Sequence, residues 1–184
     1  MSQMNQPIRK AEGFSVGFIG LGGMGRGVVK NMLAGGATVA VHDLDPEAVA
    51  LAVSKGARAE PDLAAMAANV DVLGICITTA EAVQKLALGP DGLLSHMREG
   101  AVFLDHTTVS PEHVDRMREA CAACGIAYCE APMTRTPVHA DRGEVNILFG
   151  GTEALLERLR PLFKTYAENI FHVGPLGAGH TLKL

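Results

Sequence analysis

From Ser15 to Gly27 the chain reads S-V-G-F-I-G-L-G-G-M-G-R-G. An apolar run enters Gly20-Leu21-Gly22-Gly23-Met24-Gly25, and an amphipathic run, Val28 to Leu33, follows. Strand, glycine turn and helix start in this order form the seat of a dinucleotide pyrophosphate. Gly20 permits the tight turn, Gly22 admits the phosphates to the backbone, and Gly25 lets helix and strand pack closely. Leu21, Gly23 and Met24 complete the loop whose N–H groups and helix dipole meet the anion. The glycine string is common in itself, so its neighbourhood decides. Thr38 to His42 reads as a second strand, and Asp43 stands at its end, where the fingerprint wants an acid for the adenosine ribose. A carboxylate there repels a 2′-phosphate, and the next residue is Leu44 rather than an arginine, so NAD is expected in preference to NADP. Asp43 also suits a turn or helix N-cap, but Asp45 before Pro46 suits the cap better. No G-K-[ST] follows the glycines, which excludes a phosphate loop of the nucleotidase type.

Strand-like and helix-like segments alternate along the chain. The strands expected are Val16 to Gly20, Thr38 to His42, Val72 to Ile77, Ala101 to Leu104, Ala127 to Glu130, Val145 to Phe149 and Asn169 to Val173, with a short one around Arg58. The helices expected are Gly23 to Ala34, Pro46 to Ser54, Asp62 to Ala68, Ala80 to Leu86, Pro111 to Cys124 and Glu153 to Tyr166. This alternation predicts an α/β fold of the Rossmann type, a doubly wound and mainly parallel sheet. Residues 14–174 form its dinucleotide-binding domain. The polar first thirteen residues lack the apolar core of a signal peptide and read as a flexible tail. Residues 175–184 begin an apolar helical pattern that stops at Leu184, as a truncated chain would.

With 184 residues, 48% hydrophobic and 20% charged, the chain supports one sizeable core. A net charge of -4 with dispersed lysines and arginines leaves no footprint for nucleic acid. No apolar run approaches a membrane span, and cytoplasm is the expected compartment. The four cysteines include Cys121-Ala-Ala-Cys124 with Cys129 nearby. This pair ends a helix instead of starting one, where the dipole raises a thiol pKa, so inert thiols are expected. No second C-x-x-C completes a zinc site, the seven histidines lack ligand spacing, and no metal is expected.

Four motifs in order resemble the β-hydroxyacid dehydrogenase family across Ser15 to Leu184. V-G-F-I-G-L-G-G-M-G is similar to the family's opening. L-D-H-T-T-V-S-P, from Leu104, resembles D-x-S-T-x-x-P with Thr107 in the serine's place. E-A-P-M-T-R-T-P, from Glu130, resembles D-A-P-V-S-G-G, and G-A-G-H-T-L-K-L, from Gly177, resembles G-x-G-x-x-x-K-L. The resemblance implies that Lys183 is the catalytic lysine, stabilising and protonating the oxygen that gains charge during hydride transfer. The alternative for any single lysine is a solvated helix face. It implies that Thr107, Thr134, Arg135 and Thr136 meet the substrate, and that Thr108 lies beside the nicotinamide. Arg135 departs from S-G-G toward the G-R-T loop of sulfolactaldehyde reductases, where a guanidinium can pair with a carboxylate or sulfonate; otherwise it is a solvent-facing charge. Ile77 and Thr78 stand where the family has L-P in a turn lining the cofactor, and His106 matches nothing and is given no role.

The activity implied is NAD-dependent interconversion of a 3-hydroxyacid-type alcohol and its semialdehyde, with a small anionic substrate and a homo-oligomeric full-length protein. The family's second, helical domain is absent here, as is the asparagine that assists the lysine one turn further on. Next to the last residue, Lys183 is expected on a fraying turn with its ammonium unfixed. Among rivals, 6-phosphogluconate dehydrogenase keeps glycines where this chain has T-R-T, and imine reductases lack the lysine. A non-catalytic NAD(H)-binding module is the alternative from another class.

Overall fold

A computed structural model describes residues 11–184. The first ten residues of the expected tail lie outside the described residues. The rest of that tail, through Gly13, is a turn in which Ala11 is fully buried and its N–H donates to the Gly35 carbonyl at 2.9 Å.

In chain order the elements are β1 (Ser15–Ile19), α1 (Gly23–Ala34), β2 (Thr38–His42), α2 (Pro46–Ser54), β3 (Arg58–Ala59), α3 (Leu63–Ala68), β4 (Val72–Ile75), α4 (Ala80–Ala87), α5 (Leu93–His96), β5 (Val102–Asp105), α6 (Pro111–Ala123), β6 (Ala127–Glu130), β7 (Met133–Thr134), α7 (Pro137–Arg142), β8 (Val145–Gly150), α8 (Glu153–Phe163), β9 (Ala167–Gly174) and α9 (Ala178–Lys183). Five of the helix starts, those of α2, α3, α4, α6 and α8, follow from side chains able to accept the orphan N–H groups. Asp45 caps α2 through Glu47 N–H at 2.9 Å with Pro46 at the first position. Asp62, Thr79, Ser110 and Thr152 cap α3, α4, α6 and α8 in the same way.

The strands line up as β3-β2-β1-β4-β5-β6-β8-β7, with β9 beside β8. From β3 through β6 all neighbours are parallel. Beyond β6 the sheet turns antiparallel, through Glu130 opposite Gly150 and Met133 opposite Ile147. Both faces are covered, which is why the central strands are apolar throughout. Phe18 and Val41 join Val28, Met32 and Leu159 in one core layer, while Ile19, Leu73 and Phe103 join Met66, Val114 and Met117 in the other. The chain leaves β1 toward β2 on one side and returns to β4 on the other. The loops after β1 and β4 therefore diverge, and this switch point opens a crevice at the carboxyl edge of the sheet.

Several boundaries differ from the sequence expectation. β4 stops at Ile75, because the Ile77 N–H turns out of the ladder onto the Thr107 hydroxyl at 3.2 Å. α8 stops at Phe163, where the N–H groups of Thr165 and Tyr166 reach back only three residues, to Leu162 and Phe163. The short elements α5, α7 and β7 carry no periodicity long enough to read.

Candidate functional site

The glycine turn has the shape its roles require. Gly20 sits at φ +98°, and a Cβ there would lie 2.3 Å from the Cys76 carbonyl oxygen. A Cβ on Gly25 would lie 1.9 Å from the Gly20 carbonyl oxygen, so only glycine lets α1 pack this close to β1. Gly22 is the opposite case: nothing stands within 4 Å of a Cβ built there. This open backbone precedes the first turn of α1, where Gly23, Met24 and Gly25 have no intrahelical acceptor for their N–H groups. An anionic pyrophosphate fits this cradle.

Asp43 closes the crevice at the end of β2. Its Oδ2 accepts from Leu21 N–H at 2.5 Å and its Oδ1 from Asp45 N–H at 2.8 Å. Each oxygen keeps a second lone pair, so a ribose diol fits while the carboxylate stays tied to the glycine turn. Leu44 is 95% exposed beside it and offers no cation for a 2′-phosphate. Behind the turn a groove of about 890 Å³ runs between α1, α2 and α7, lined in part by Arg26, Lys55, Asp45 and Glu47, and its charges are mixed.

The other expected residues gather on the same edge, with different duties. Thr108 is exposed after β5, and Ile77 and Thr78 flank it after β4. Thr107 is buried: its hydroxyl accepts from Ile77 N–H, and its own N–H donates to Asp105 Oδ1 at 2.8 Å. Its hydroxyl therefore braces the turn after β4. Thr134 is half-buried and accepts from Asn146 Nδ2 at 3.3 Å, and Thr136 meets His139 Nδ1 at 2.8 Å. Arg135 has φ +78°, the left-handed region that a glycine fills without strain. Its guanidinium pairs with Glu168 and donates to the Glu144 carbonyl at 2.8 Å, so it is held by the protein's own acceptors.

Lys183 is fixed where a fraying turn was expected. Its Nζ donates to the Met133 carbonyl at 2.7 Å, at the foot of the Thr134–Thr136 loop. The charge reaches Cys76 at the end of β4, whose thiol is pushed up to about 12 by burial and the Asp105 carboxylate, with the Lys183 ammonium opposing them.

Among the buried polar groups that the sequence reading left without a role are His106 and Asp105. His106 meets the Ala131 carbonyl through Nδ1 at 2.6 Å and the Tyr166 hydroxyl through Nε2 at 3.0 Å. Desolvation pushes this ring down to about 4, so it is neutral and ties the loop after β5 to Ala131 after β6 and Tyr166 after α8. Asp105 receives Tyr128 Oη at 3.1 Å and His113 Nε2 at 3.2 Å. Burial pushes the Cys121 thiol up to about 12, as inert thiols require. Among the described residues no three His, Cys, Asp or Glu side chains group to hold a metal, and no helix is long and apolar enough to cross a membrane.

A family model for the NAD binding domain of 6-phosphogluconate dehydrogenase matches residues 15–174. The chain is 36% identical to 2-(hydroxymethyl)glutarate dehydrogenase of Eubacterium barkeri over 169 residues, 92% of this chain and 56% of that protein. The structure of 3-hydroxyisobutyrate dehydrogenase from Mycobacterium tuberculosis with L-serine superposes with a TM-score of 0.87 at 27% identity, covering 92% of this chain and 57% of the other. Psf3 in complex with NADP+ and 2-OPP gives 0.86 at 31% identity, covering 91% and 60%. The chain thus spans little more than half the length of these relatives. By its glycine turn, its crevice and this family match, the chain belongs to the β-hydroxyacid dehydrogenase family and carries that family's NAD-binding domain.

Proposed function

We propose that this chain is the cofactor-binding half of an NAD-dependent dehydrogenase that interconverts a 3-hydroxyacid-type alcohol and its semialdehyde. The observation that supports it most is the Lys183 ammonium, held at the foot of the Thr134–Thr136 loop on the edge that carries the glycine turn. Gly20 to Gly25 and Asp43 hold the dinucleotide, with Leu44, Ile77, Thr78 and Thr108 lining it. Bound there, NAD would supply the hydride acceptor for oxidation of the alcohol carbon and NADH the hydride donor for reduction of the semialdehyde. In reduction the Lys183 ammonium stabilises the oxygen that gains charge and gives it a proton; in oxidation the neutral amine takes that proton away. The substrate's acid group meets the backbone N–H groups and hydroxyls of Thr134 and Thr136 beside the Arg135 guanidinium, whose Nη1 is held by Glu168 and the Glu144 carbonyl while Nε and Nη2 keep their N–H donors for an anion.

A second reading, an NAD(H)-binding module without turnover, concerns these 184 residues taken by themselves, which span 56% of the first of those relatives. Exclusion of water and alignment of the reacting carbon need walls on both sides of the nicotinamide. We expect the 184 residues to bind NADH, read by fluorescence, and to turn over no hydroxyacid measurably. Fused to the helical half of a relative, they should gain turnover that Lys183→Ala abolishes while NADH affinity stays the same. Full turnover with Lys183→Ala would remove the lysine from the chemistry, and failure to bind NADH would remove the cofactor reading itself.

A further inference from the structure

Two segments that read as separate motifs, those of Thr107 and Glu130, meet on one side chain of α9, His180. It is fully buried, and both ring nitrogens face oxygen. Nε2 lies 2.8 Å from the Thr107 carbonyl oxygen and Nδ1 lies 2.6 Å from Glu130 Oε2. A carbonyl cannot donate, so Nε2 carries a proton. The second contact admits either an Nδ1–H donating to a carboxylate or a neutral carboxyl donating to a bare nitrogen. Glu130 decides between them. Its Oε1 accepts from the N–H groups of Gly177 at 2.6 Å and Gly179 at 3.0 Å, and its Oε2 also accepts from His180 N–H at 3.3 Å. Three backbone donors aimed at one carboxyl group stabilise the ionised form. Burial alone would raise the Glu130 pKa; the His180 ring and the Gly179 and Gly177 N–H groups more than reverse it and hold it below the ordinary carboxylate value.

We propose that Glu130 and His180 form a buried carboxylate–imidazolium pair, and that His180 is the positioning residue that fixes the Lys183 helix against the Thr107–Thr108 loop. Around the pair, desolvation keeps His106 neutral, and burial together with nearby carboxylates keeps Tyr128 and Cys129 protonated. The hydrogen-bonded path runs from Ile77 N–H to the Thr107 hydroxyl, from the Thr107 carbonyl to His180, and from His180 to Glu130 and the start of α9. Lys183 lies three residues after His180, on the same helix face, and its ammonium is anchored separately on Met133. The segments of Ile77, Thr107 and Glu130 and the start of α9 therefore share one hydrogen-bonded junction.

The consequence for proton transfer rests on the proposed role of Lys183, but the test needs no turnover. In the 184-residue chain with ¹⁵N-labelled histidine, the His180 ring should show protons on both nitrogens at neutral pH. Glu130→Gln keeps the shape, and its amide donates to Nδ1, so the same ring should change to the neutral form protonated on Nε2 alone. Acylation of the Lys183 amine, followed by mass spectrometry, should be severalfold faster in His180→Leu, with faster amide exchange at Gly177 and Gly179. If His180→Leu fails to fold, Glu130→Gln supplies this arm, because replacing charged hydrogen bonds with weaker neutral ones should also speed the acylation. A wild-type ring with one bare nitrogen would overturn the pair. An unchanged Lys183 acylation rate in a folded variant would overturn the positioning role.

Discussion

Gly22 and Gly25 lie three residues apart in one turn, yet alanine should act on them in different ways. At Gly25 the added methyl meets the Gly20 carbonyl oxygen at 1.9 Å, and backbone cannot rotate aside. Gly25→Ala is expected to lose at least about 3 kcal/mol of stability, the upper end of overpacking costs. At Gly22 the φ of -62° suits alanine and the methyl has open space, so Gly22→Ala should unfold at the wild-type temperature. The methyl would instead occupy the phosphate approach and weaken NADH binding by about tenfold or more, about 1.4 kcal/mol. Thermal unfolding beside NADH titration separates the two outcomes. Arg135 supplies a second residue-level test. The left-handed conformation costs about 1–2 kcal/mol in a non-glycine residue, while its partly exposed pair with Glu168 contributes about 0–1 kcal/mol. Arg135→Ala keeps the strain and loses the pair, whereas Arg135→Gly loses both. The glycine variant should therefore be the more stable of the two, the reverse of the usual order, and an equal or higher melting temperature for alanine would contradict the assignment.

At the scale of elements, the structure was legible wherever a cap, a proline and an apolar period coincided. Asp45-Pro46 and Ser110-Pro111 mark α2 and α6 in the sequence, and both start where expected. The four-residue α5, the six-residue α7 and the two-residue β7 were not legible, because they are too short to show a period and are held by tertiary contact. Lys183 was expected on a loose end because only local fraying was considered; the Met133 carbonyl that fixes it is fifty residues away in sequence. His106 was opaque for the same reason, since its partners come from β6's following loop and from Tyr166 after α8. Its burial has a measurable consequence. The unfolded chain takes up a proton on this ring near 6.5 and the folded one only near about 4, so between those values the unfolded state binds more protons and stability rises with pH. The contribution is complete above the unfolded value and is lost as pH falls to the folded one, by up to about 3 kcal/mol. Urea midpoints followed across that window should show the slope in the wild type and a shallower one in His106→Phe.

At the scale of the whole molecule, alternation of strands and helices was enough to give a doubly wound sheet, because both of its faces must be covered. What alternation does not contain is the order of the strands. The reversal between β1's two neighbours, β2 and β4, opens the crevice, and the antiparallel turn beyond β6 brings the Thr134–Thr136 loop and α9 to its rim. The candidate site is thus a product of topology acting on motifs: the glycines, Asp43 and Lys183 were readable singly, and the Glu130–His180 junction that ties α9 to the Thr107 loop was not. The central claim is that this edge is an NAD site, bounded by a carboxylate at the ribose. Titration of the 184-residue chain with NADH and with NADPH, side by side and followed by nicotinamide fluorescence, tests it most directly. The Asp43 carboxylate and exposed Leu44 predict NADH binding tighter by about tenfold or more, since a 2′-phosphate would meet like charge at Asp43 and no cation at position 44. Equal or tighter binding of NADPH would contradict it.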